Sequence, residues 1–346
     1  MNRRDFLKLT LAAAAAGIPL GRFTLRPLLS APPTPPADDV GAARSRPSPG
    51  LAVRGPARVA ILRAATYDAP LASELRRLVA ASFPDLAARA KGARVLLKPN
   101  LVEWRAGAPV NTHPAVVGAA IELFRSLGAR EVLVGEGPGH MRDAVAVAEA
   151  AGVLDVLRSE RVRFVDLNHD AVRDTPLATR RSRLGSLALP ETALGADLVV
   201  SLAKMKTHHW TGATLSMKNL FGLVPGAVYG FPKNVLHFHG IDACIVDIAA
   251  TIRPAFAIVD GVVGMEGDGP IMGRPVPSGA LILGELPASV DATAARLMGL
   301  APARIPHIAM APRILGPTAE LSIEQVGETI ACLARDYDPG PFATSR

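Results

Sequence analysis

The stretch from residue 95 to residue 139 reads VLLKPNLVEWRAGAPVNTHPAVVGAAIELFRSLGAREVLVGEGPG and decides the fold class. Val95 to Leu97 is a short apolar run, which predicts a buried strand. Pro114 stands in the favoured first turn of a helix whose apolar residues recur on one face. A second apolar strand, Glu131 to Val134, runs into the glycine-rich turn Gly135 to Gly139. This alternation predicts an α/β fold with a mostly parallel, Rossmann-like layered sheet and helices on both faces.

The rest of the chain repeats these patterns, less regularly in its second half. A further helix is predicted from near Met141. The other predicted strands are Arg58 to Leu62, Val162 to Val165, Asp197 to Leu202, Ala255 to Val259 and Ala280 to Leu283, and the other predicted helices are Ser73 to Ala81, Asp242 to Ile252 and Val290 to Met298. Open α/β sheets bind ligands at the carboxyl ends of their strands, so a site is sought there.

The N-terminus carries a targeting signal. Arg3 and Arg4 precede Phe-Leu-Lys and a small apolar run, which is the pattern of a twin-arginine signal and is too short to span a bilayer. We predict a signal peptide over residues 1–30, a Pro/Ala-rich linker over 31–50 and a single α/β domain over 51–346. Cleavage near residue 31 or near residue 43, and uncleaved retention as a membrane anchor, all stay open. The predicted location is periplasmic or extracytoplasmic, with the twin-arginine translocation machinery as a partner.

The formal net charge of +7 invites comparison with nucleic-acid-binding proteins. More than half of this charge, +4, lies in residues 1–30, which leaves the predicted domain only weakly basic. Aromatic residues are few and are not interleaved with basic runs, as a surface that stacks single-stranded bases requires. Nucleic acid is therefore excluded as the main partner.

The chain has two cysteines, Cys244 and Cys332, and they form no Cys-x-x-Cys motif. A cysteine-ligated iron–sulfur cluster or a cysteine-based zinc site cannot be built from this chain alone. Outside the cytoplasm the two thiols could form one disulfide. The apolar helical pattern around Cys244 favours instead a buried, inert thiol.

The richest polar cluster follows the strand predicted to end at Leu202. Three lysines, two histidines and several hydroxyls lie close together there, and the members that we assign to a site are Lys204, Lys206, Thr207, His208, Lys218 and Asn219. Lysines act as point charges and hydroxyls or backbone amides act as donors, so this set suits a small anion such as a carboxylate or a phosphate. The alternative is a solvated basic loop, although apolar residues separate the lysines.

Lys98 and Asn100 end an earlier predicted strand. If that strand lies beside the one that ends at Leu202, Lys98 and Asn100 face the same cleft as Lys204 and are further substrate-binding candidates. The turn Gly135 to Gly139 lacks the spacing of a dinucleotide-binding motif, so it predicts a tight turn or an anion pocket.

A third cluster contains Asp260, Glu266 and Asp268 among glycines, after the strand that ends at Val259. Their oxygens suit magnesium, calcium or manganese, and one of them could serve as a catalytic base. The alternative is that they are ordinary turn residues. Asp291, at a predicted helix start, is either a ligand or a capping residue, and capping suits its position better.

His237 and His239 are two residues apart, so on an extended segment both rings face one way. With His208 and His209 nearby, they could bind zinc, nickel, copper or iron. The candidate metal ligands are therefore Glu266, Asp268, His237 and His239. The sequence leaves the cofactor unknown, with a divalent metal as one possibility.

Several of these motifs occur together in one known family. They are Lys98-Pro99-Asn100, Gly135 to Gly139, Lys204 to His208, Met217-Lys218-Asn219, Asp260-Gly261, Glu266 to Pro270 and Val290-Asp291-Ala292. In this order, from about Val59 to Met310, the chain resembles the bacterial and archaeal family called domain of unknown function 362. The resemblance implies an α/β domain, frequent association with ferredoxin modules and frequent twin-arginine export, but no established reaction. Since this chain lacks a ferredoxin cysteine motif, a redox partner would be a separate polypeptide or a cofactor not held by cysteine.

The sequence thus predicts an exported enzyme that acts on a small anion, with or without a divalent metal. His208, Lys206 and Asp260 are the catalytic candidates, His208 for proton transfer because its ordinary pKa is near neutrality. The alternative is a non-catalytic exported protein that binds an anion or a metal through the same cleft.

Overall fold

The computed structural model describes residues 57–139 and 143–343. The predicted signal peptide, the predicted linker and the predicted helix start at Met141 lie outside these residues. Within the described part, no helix is long and apolar enough to cross a membrane.

Eleven strands are present in the described residues. They are β1 (Ala57–Arg63), β2 (Arg94–Pro99), β3 (Glu131–Glu136), β4 (Arg163–Asp166), β5 (Val172–Pro176), β6 (Ser186–Pro190), β7 (Leu198–His208), β8 (Gly212–Thr214), β9 (Phe256–Glu266), β10 (Arg274–Gly284) and β11 (Ile323–Gly327). Strands β5 and β6 form a separate two-stranded sheet, and the remaining nine form the central sheet.

The central sheet has the order β11-β1-β10-β9-β7-β2-β3-β4, with β8 paired to β7. Strands β9, β7, β2, β3 and β4 are all parallel to their neighbours in this series. Strand β10 runs antiparallel to both β9 and β1, and β8 runs antiparallel to β7. The prediction of a mostly parallel α/β sheet is confirmed.

The helices cover both faces of the sheet. They are α1 (Leu71–Ser82), α2 (Pro84–Ala90), α3 (Pro114–Ser126), α4 (Ala144–Ala150), α5 (Val153–Ser159), α6 (Glu191–Leu194), α7 (Ser216–Asn219), α8 (Gly226–Tyr229), α9 (Asn234–Phe238), α10 (Ile241–Ile252), α11 (Pro287–Leu297), α12 (Pro306–Ala309), α13 (Pro312–Leu315) and α14 (Ile330–Leu333). Short 3₁₀ helices span Leu220–Leu223, Pro302–Arg304, Glu320–Ser322 and Gly340–Ala343.

Two apolar cores result, one on each face. Val95 and Leu202 pack with α1 and α3, whereas Leu96 and Ala203 pack with α10 and α11. Successive strand residues point to opposite faces, so a strand that is apolar at consecutive positions is buried on both sides. We refer to these sides as the α3 face and the α10 face.

The structure corrects the predicted ends of β7 and β9. Both strands were expected to stop at Leu202 and Val259, before Lys204 and Asp260, but β7 continues to His208 and β9 to Glu266. Lys204, Lys206 and Asp260 are therefore buried strand residues and not loop residues. Charged residues inside a strand are stable only if the fold supplies partners, which sequence patterns do not show.

Both cysteines are free thiols in the structure, and Cys244 is buried while Cys332 is exposed. Burial raises the pKa of Cys244 to about 11, which keeps the thiol protonated and unreactive. The prediction of a buried, inert Cys244 agrees with its position in α10.

Candidate functional site

The carboxyl ends of β2, β3, β7 and β9 lie side by side because these four strands are adjacent and parallel. The expectation that the strands bearing Lys98 and Lys204 are neighbours is confirmed. Lys98, Glu136, Lys204, Lys206 and Asp260 are all buried at this edge. Buried charges need partners, so the pairing of these five groups determines what the edge can bind.

Lys98 forms an ion pair with Glu136, with 2.7 Å between Nζ and Oε2. The Glu136 carboxylate also accepts hydrogen bonds from the backbone amides of Leu101 and Gly137, at 2.9 and 2.8 Å. Burial lowers the pKa of Lys98, and the attraction of Glu136 opposes that shift. Glu136 was not among the residues predicted for the site. It stands inside the glycine-rich turn, where it was interpreted as part of the turn.

Asn219 joins this pair to the next strand. Its Oδ1 accepts from Lys98 Nζ at 3.2 Å, and its Nδ2 donates to the Lys98 carbonyl and to Ser201 Oγ at 2.9 and 3.0 Å. At Gly222 an added Cβ would overlap both Glu136 Oε1 and Lys98 Nζ. The backbone can approach the ion pair this closely only because glycine has no side chain.

Lys204 forms the second buried ion pair, with Asp260, at 2.9 Å between Nζ and Oδ2. Tyr67 completes the group, because its hydroxyl donates to Asp260 Oδ1 at 2.9 Å and accepts from Lys204 Nζ at 2.8 Å. The backbone amide of His113 donates to Asp260 Oδ2 at 3.0 Å, and its ring stacks on Tyr67 with 3.6 Å between centroids. Burial raises the pKa of Tyr67, so the phenol stays protonated. Neither Tyr67 nor His113 was predicted for the site.

The two ion pairs lie on opposite faces of the sheet. Lys98 is in register with Ser201, and Lys204 is three residues further along β7, so their side chains point to opposite sides. Lys98 contacts Asn219 on the α10 face, and Lys204 contacts Tyr67 on the α3 face. The expectation that both lysines face one cleft is therefore wrong, because the sheet itself separates them.

Lys206 is fully buried, yet Nζ donates only to backbone carbonyls, those of Val110 at 2.7 Å and Pro270 at 3.2 Å. Burial and the positive charges of Lys204 and Lys218 hold its pKa well below the usual value. The register between β7 and β9 shifts beside it, since Lys204 pairs with Asp260 but Lys206 with Met265. Such irregularities re-aim side chains at a strand end.

Lys218 and Lys233 complete the basic groups on the α10 face. Lys218 is partly exposed, and its Nζ lies 4.2 Å from the centre of the Phe221 ring. Burial, followed by repulsion from Lys98, lowers the pKa of Lys218 to about 8. Lys233 donates to the carbonyls of Gly137 at 2.7 Å and Phe221 at 3.4 Å, and burial lowers its pKa to about 7.

Lys233 was missed by sequence reasoning because it stands alone in a stretch without clear periodicity. Its backbone has a φ of 69°, a left-handed conformation that is uncommon for a residue other than glycine. Residues held in such conformations are concentrated at functional sites. Neither the conformation nor the burial has a signal in the sequence.

Thr207 and Asn100, which were also predicted to bind substrate, are both buried. The Thr207 hydroxyl donates to the Gly267 carbonyl at 2.9 Å. Asn100 is buried, and its Oδ1 has no hydrogen-bond partner among the described residues. Asp291 lies inside α11 and not at its start, so it does not cap its own helix as expected; it accepts from the backbone amides of Ser216 and Met217 in α7, at 2.7 and 2.9 Å. Burial raises the pKa of Asp291 to about 6.

His208 is buried at the end of β7, and its Nδ1 accepts a hydrogen bond from the Trp210 amide at 3.1 Å. Burial, and next the charge of Lys218, holds the pKa of His208 well below its usual value. The imidazole is therefore neutral at physiological pH. Because Nδ1 accepts from the Trp210 amide, the neutral ring carries its proton on Nε2 and presents a hydrogen-bond donor to a ligand.

The candidate metal ligands are not gathered into one centre. In the described part of the chain, no three His, Cys, Asp or Glu side chains are grouped as a metal site requires. Glu266 pairs with Arg274 at 3.0 Å, and Asp268 lies 3.6 Å from His209. The expectation of an extended segment at His237 is wrong, because α9 covers Asn234–Phe238. Side chains two apart on a helix diverge, whereas on a strand they share a face.

Comparison with known protein families shows which family this chain belongs to. The sequence profile described as "Domain of unknown function (DUF362)" matches residues 95–296, and that of the twin-arginine translocation signal matches residues 1–18. The chain belongs to the DUF362 family. As a DUF362 protein with this signal, it is exported through the twin-arginine translocation machinery.

The chain is also similar to one relative by sequence and to two solved structures. The DUF362 chain is 34% identical over 270 residues to the thylakoid-associated protein sll1697 of Synechocystis sp., covering 75% of this chain and 81% of that protein. Among solved structures, the lactate racemase apoprotein from Thermoanaerobacterium thermosaccharolyticum is 14% identical with a TM-score of 0.41. That alignment covers 68% of this chain and 55% of the racemase. A Thermotoga maritima protein is 12% identical with a TM-score of 0.34, over 62% of this chain and 55% of that protein.

The segment that matches the DUF362 profile contains both buried ion pairs, the three other lysines and Asp291. Tyr67, which binds Lys204 and Asp260, lies before that segment. Tyr67 also lines a cavity of about 500 Å³ between α1 and α3. Both ion pairs at the central strand ends therefore lie within the segment that matches the family profile.

Proposed function

We propose that this exported DUF362 protein binds a small carboxylate or phosphate anion at the carboxyl ends of its central strands. Lys218 would contact the negative charge, Lys206 and Lys233 would add positive charge near it, and His208 would donate a hydrogen bond to the anion through Nε2. The observation that carries the proposal is an excess of buried lysines over carboxylates.

Two of the five lysines at this edge are matched by carboxylates, namely Lys98 by Glu136 and Lys204 by Asp260. No carboxylate of residues 57–139 or 143–343 lies within ion-pair distance of Lys206, Lys218 or Lys233. Isolated buried ammonium groups are strongly unfavourable, and the lowered pKa values of all three lysines express that cost. A bound anion would supply the missing negative charge.

Lys218 is the member of the group that a ligand can reach. It is partly exposed, whereas Lys206 and Lys233 are buried to 0% and 2% exposure. Trp210 and Phe221 flank this region through the ring of His237, at centroid distances of 4.9 and 5.7 Å. An ammonium at the edge of an aromatic-walled site is well suited to orient a small anion.

The hydrogen bonds of Asp260 argue against a catalytic role for this residue. Asp260 already accepts hydrogen bonds from Lys204, Tyr67 and the His113 amide, so its oxygens are occupied. It acts here as a structural counter-ion for Lys204. Among the three predicted catalytic residues, His208 would act on the ligand through its Nε2 proton, and Lys206 would add positive charge when an anion is bound.

The test is anion binding to purified protein, measured by titration calorimetry with inorganic phosphate and with acetate at pH 7. We expect Lys218→Met to weaken the affinity for the preferred anion about tenfold or more, which corresponds to about 1.4 kcal/mol. Lys91→Met is the matched control, because Lys91 is exposed at the opposite end of β2. Equal affinities in wild type and Lys218→Met would refute the proposal.

Turnover separates an enzyme from a binding protein. Once a binding anion class is known, product formation is screened over small acids or phosphate esters of that class. We expect His208→Gln to bind the anion but to lose turnover. Binding without turnover by the wild type would favour the non-catalytic alternative.

A further inference from the structure

His307 lies in α12 and is completely buried. Its Nδ1 is 3.1 Å from Oδ1 of Asp242, in the first turn of α10. A carboxylate accepts hydrogen bonds only, so Nδ1 carries the proton of the neutral ring and Nε2 presents a lone pair. The pairing with Asp242 therefore defines Nε2 as a hydrogen-bond acceptor.

This acceptor is not used within the protein. Nε2 of His307 is buried and has no hydrogen-bond partner among the residues that the structure describes. Buried polar atoms are almost always hydrogen-bonded, and each exception calls for a reason. A histidine that served only to join α12 to α10 would need Nδ1 alone.

The position of His307 connects it to the lysine-rich region. Helix α10, which carries Asp242, packs against α7, which carries Lys218, and also against α12. The charge of Asp242 raises the pKa of Lys218, and the charge of Lys218 lowers the pKa of His208. These groups are therefore close enough to share one electrostatic environment.

We infer that His307, positioned by Asp242, belongs to the anion site and accepts a hydrogen bond from the ligand through Nε2. The inference rests on the proposed function and makes the ligand class narrower. A plain carboxylate such as acetate offers only acceptors, which suit the lysines. The ligand must also carry an O–H or N–H donor for His307, as a hydroxycarboxylate or an amino-substituted anion does.

The experiment compares two probes of equal charge, glycolate and acetate, which differ by one hydroxyl group. Calorimetry on purified wild-type protein at pH 7 should give at least fivefold tighter binding of glycolate. His307→Leu should remove this preference, with acetate affinity unchanged. His169→Leu is the control, because His169 is an exposed histidine that pairs with Asp166.

A second measurement does not depend on the folding of a variant. The imidazole nitrogen resonances of ¹⁵N-labelled wild type should show a proton on Nδ1 of His307, and glycolate but not acetate should shift its Nε2 resonance. The inference is overturned if the two probes bind equally, if the preference survives in His307→Leu, or if Nε2 does not respond to glycolate.

The outcomes also separate this inference from the proposed function. Lys218-dependent binding of both probes without any preference leaves the anion site in place and removes His307 from it. Binding that does not depend on Lys218 contradicts the proposed function, and the inference falls with it.

Discussion

Lys98 and Glu136 join the ends of two neighbouring strands through an ion pair of 2.7 Å in which the side chains are 1% and 2% exposed. A buried charge that loses its partner is strongly destabilised, so this pair is a sensitive point of the fold. We expect Glu136→Gln to lower the free energy of unfolding by about 3–5 kcal/mol. Urea denaturation followed by circular dichroism measures this loss.

Two further variants make that measurement specific. Glu149→Gln removes an exposed partner of Arg158 and should unfold like the wild type. The double variant Lys98→Met/Glu136→Leu removes both charges and should recover part of the stability. A loss that is equal in Glu136→Gln and Glu149→Gln would show that Lys98 does not depend on its partner.

Tyr67→Phe tests the second ion pair. The substitution keeps the ring that stacks on His113 but removes the hydroxyl that binds both Lys204 and Asp260. We expect a loss of about 1–3 kcal/mol in the free energy of unfolding, since buried polar atoms lose their partner. Tyr229→Phe is the comparison, because that half-buried hydroxyl accepts a single hydrogen bond, from the Ala188 amide. Equal losses in the two variants would contradict a special role for Tyr67.

The buried lysines predict how stability depends on pH. The pKa of Lys233 falls from 10.5 to about 7 on folding, so between these values the unfolded chain binds more protons than the folded one. The free energy of unfolding should therefore rise from pH 7 to pH 9, and this gain should be lost as the pH falls from 9 toward 7. Lys218, whose pKa is lowered to about 8, acts in the same direction.

Denaturation in a phosphate-free buffer at pH 7 and pH 9 checks this dependence. Lys233→Met should show a smaller rise in stability between the two pH values than the wild type. Lys91→Met, at an exposed position, should follow the wild type. A rise that is the same in Lys233→Met would mean that Lys233 is not the group responsible.

The export signal gives a prediction at the level of the cell. Replacing Arg3 and Arg4 together by lysine keeps the charge but removes the twin arginines, so we expect the protein to stay in the cytoplasm. Fractionation and immunoblotting measure its distribution. Replacing Arg22 and Arg26 by lysine should leave export unchanged, and normal export of the Arg3/Arg4 variant would show that positive charge alone is read.

The amino-acid sequence by itself determined the class of the fold. Apolar runs such as Val95 to Leu97 and the helix from Pro114 coincide with β2 and α3 to within two residues. Local periodicity is sufficient for this purpose, because burial on one or both sides imposes it on each element separately. The twin arginines and the order of the family motifs are likewise properties of the chain alone.

The tertiary structure decided which polar groups are free to act. Lys98 and Lys206 look alike in sequence, since each is a lysine at the end of an apolar run. Only the fold gives Lys98 the carboxylate of Glu136 and leaves Lys206 with two carbonyls. The alternation of β7 sends Lys204 to the opposite face from Lys98, and the packing of α12 on α10 buries the unpaired Nε2 of His307. Ion pairs and unpaired atoms depend on contacts between distant residues, which local sequence patterns do not encode.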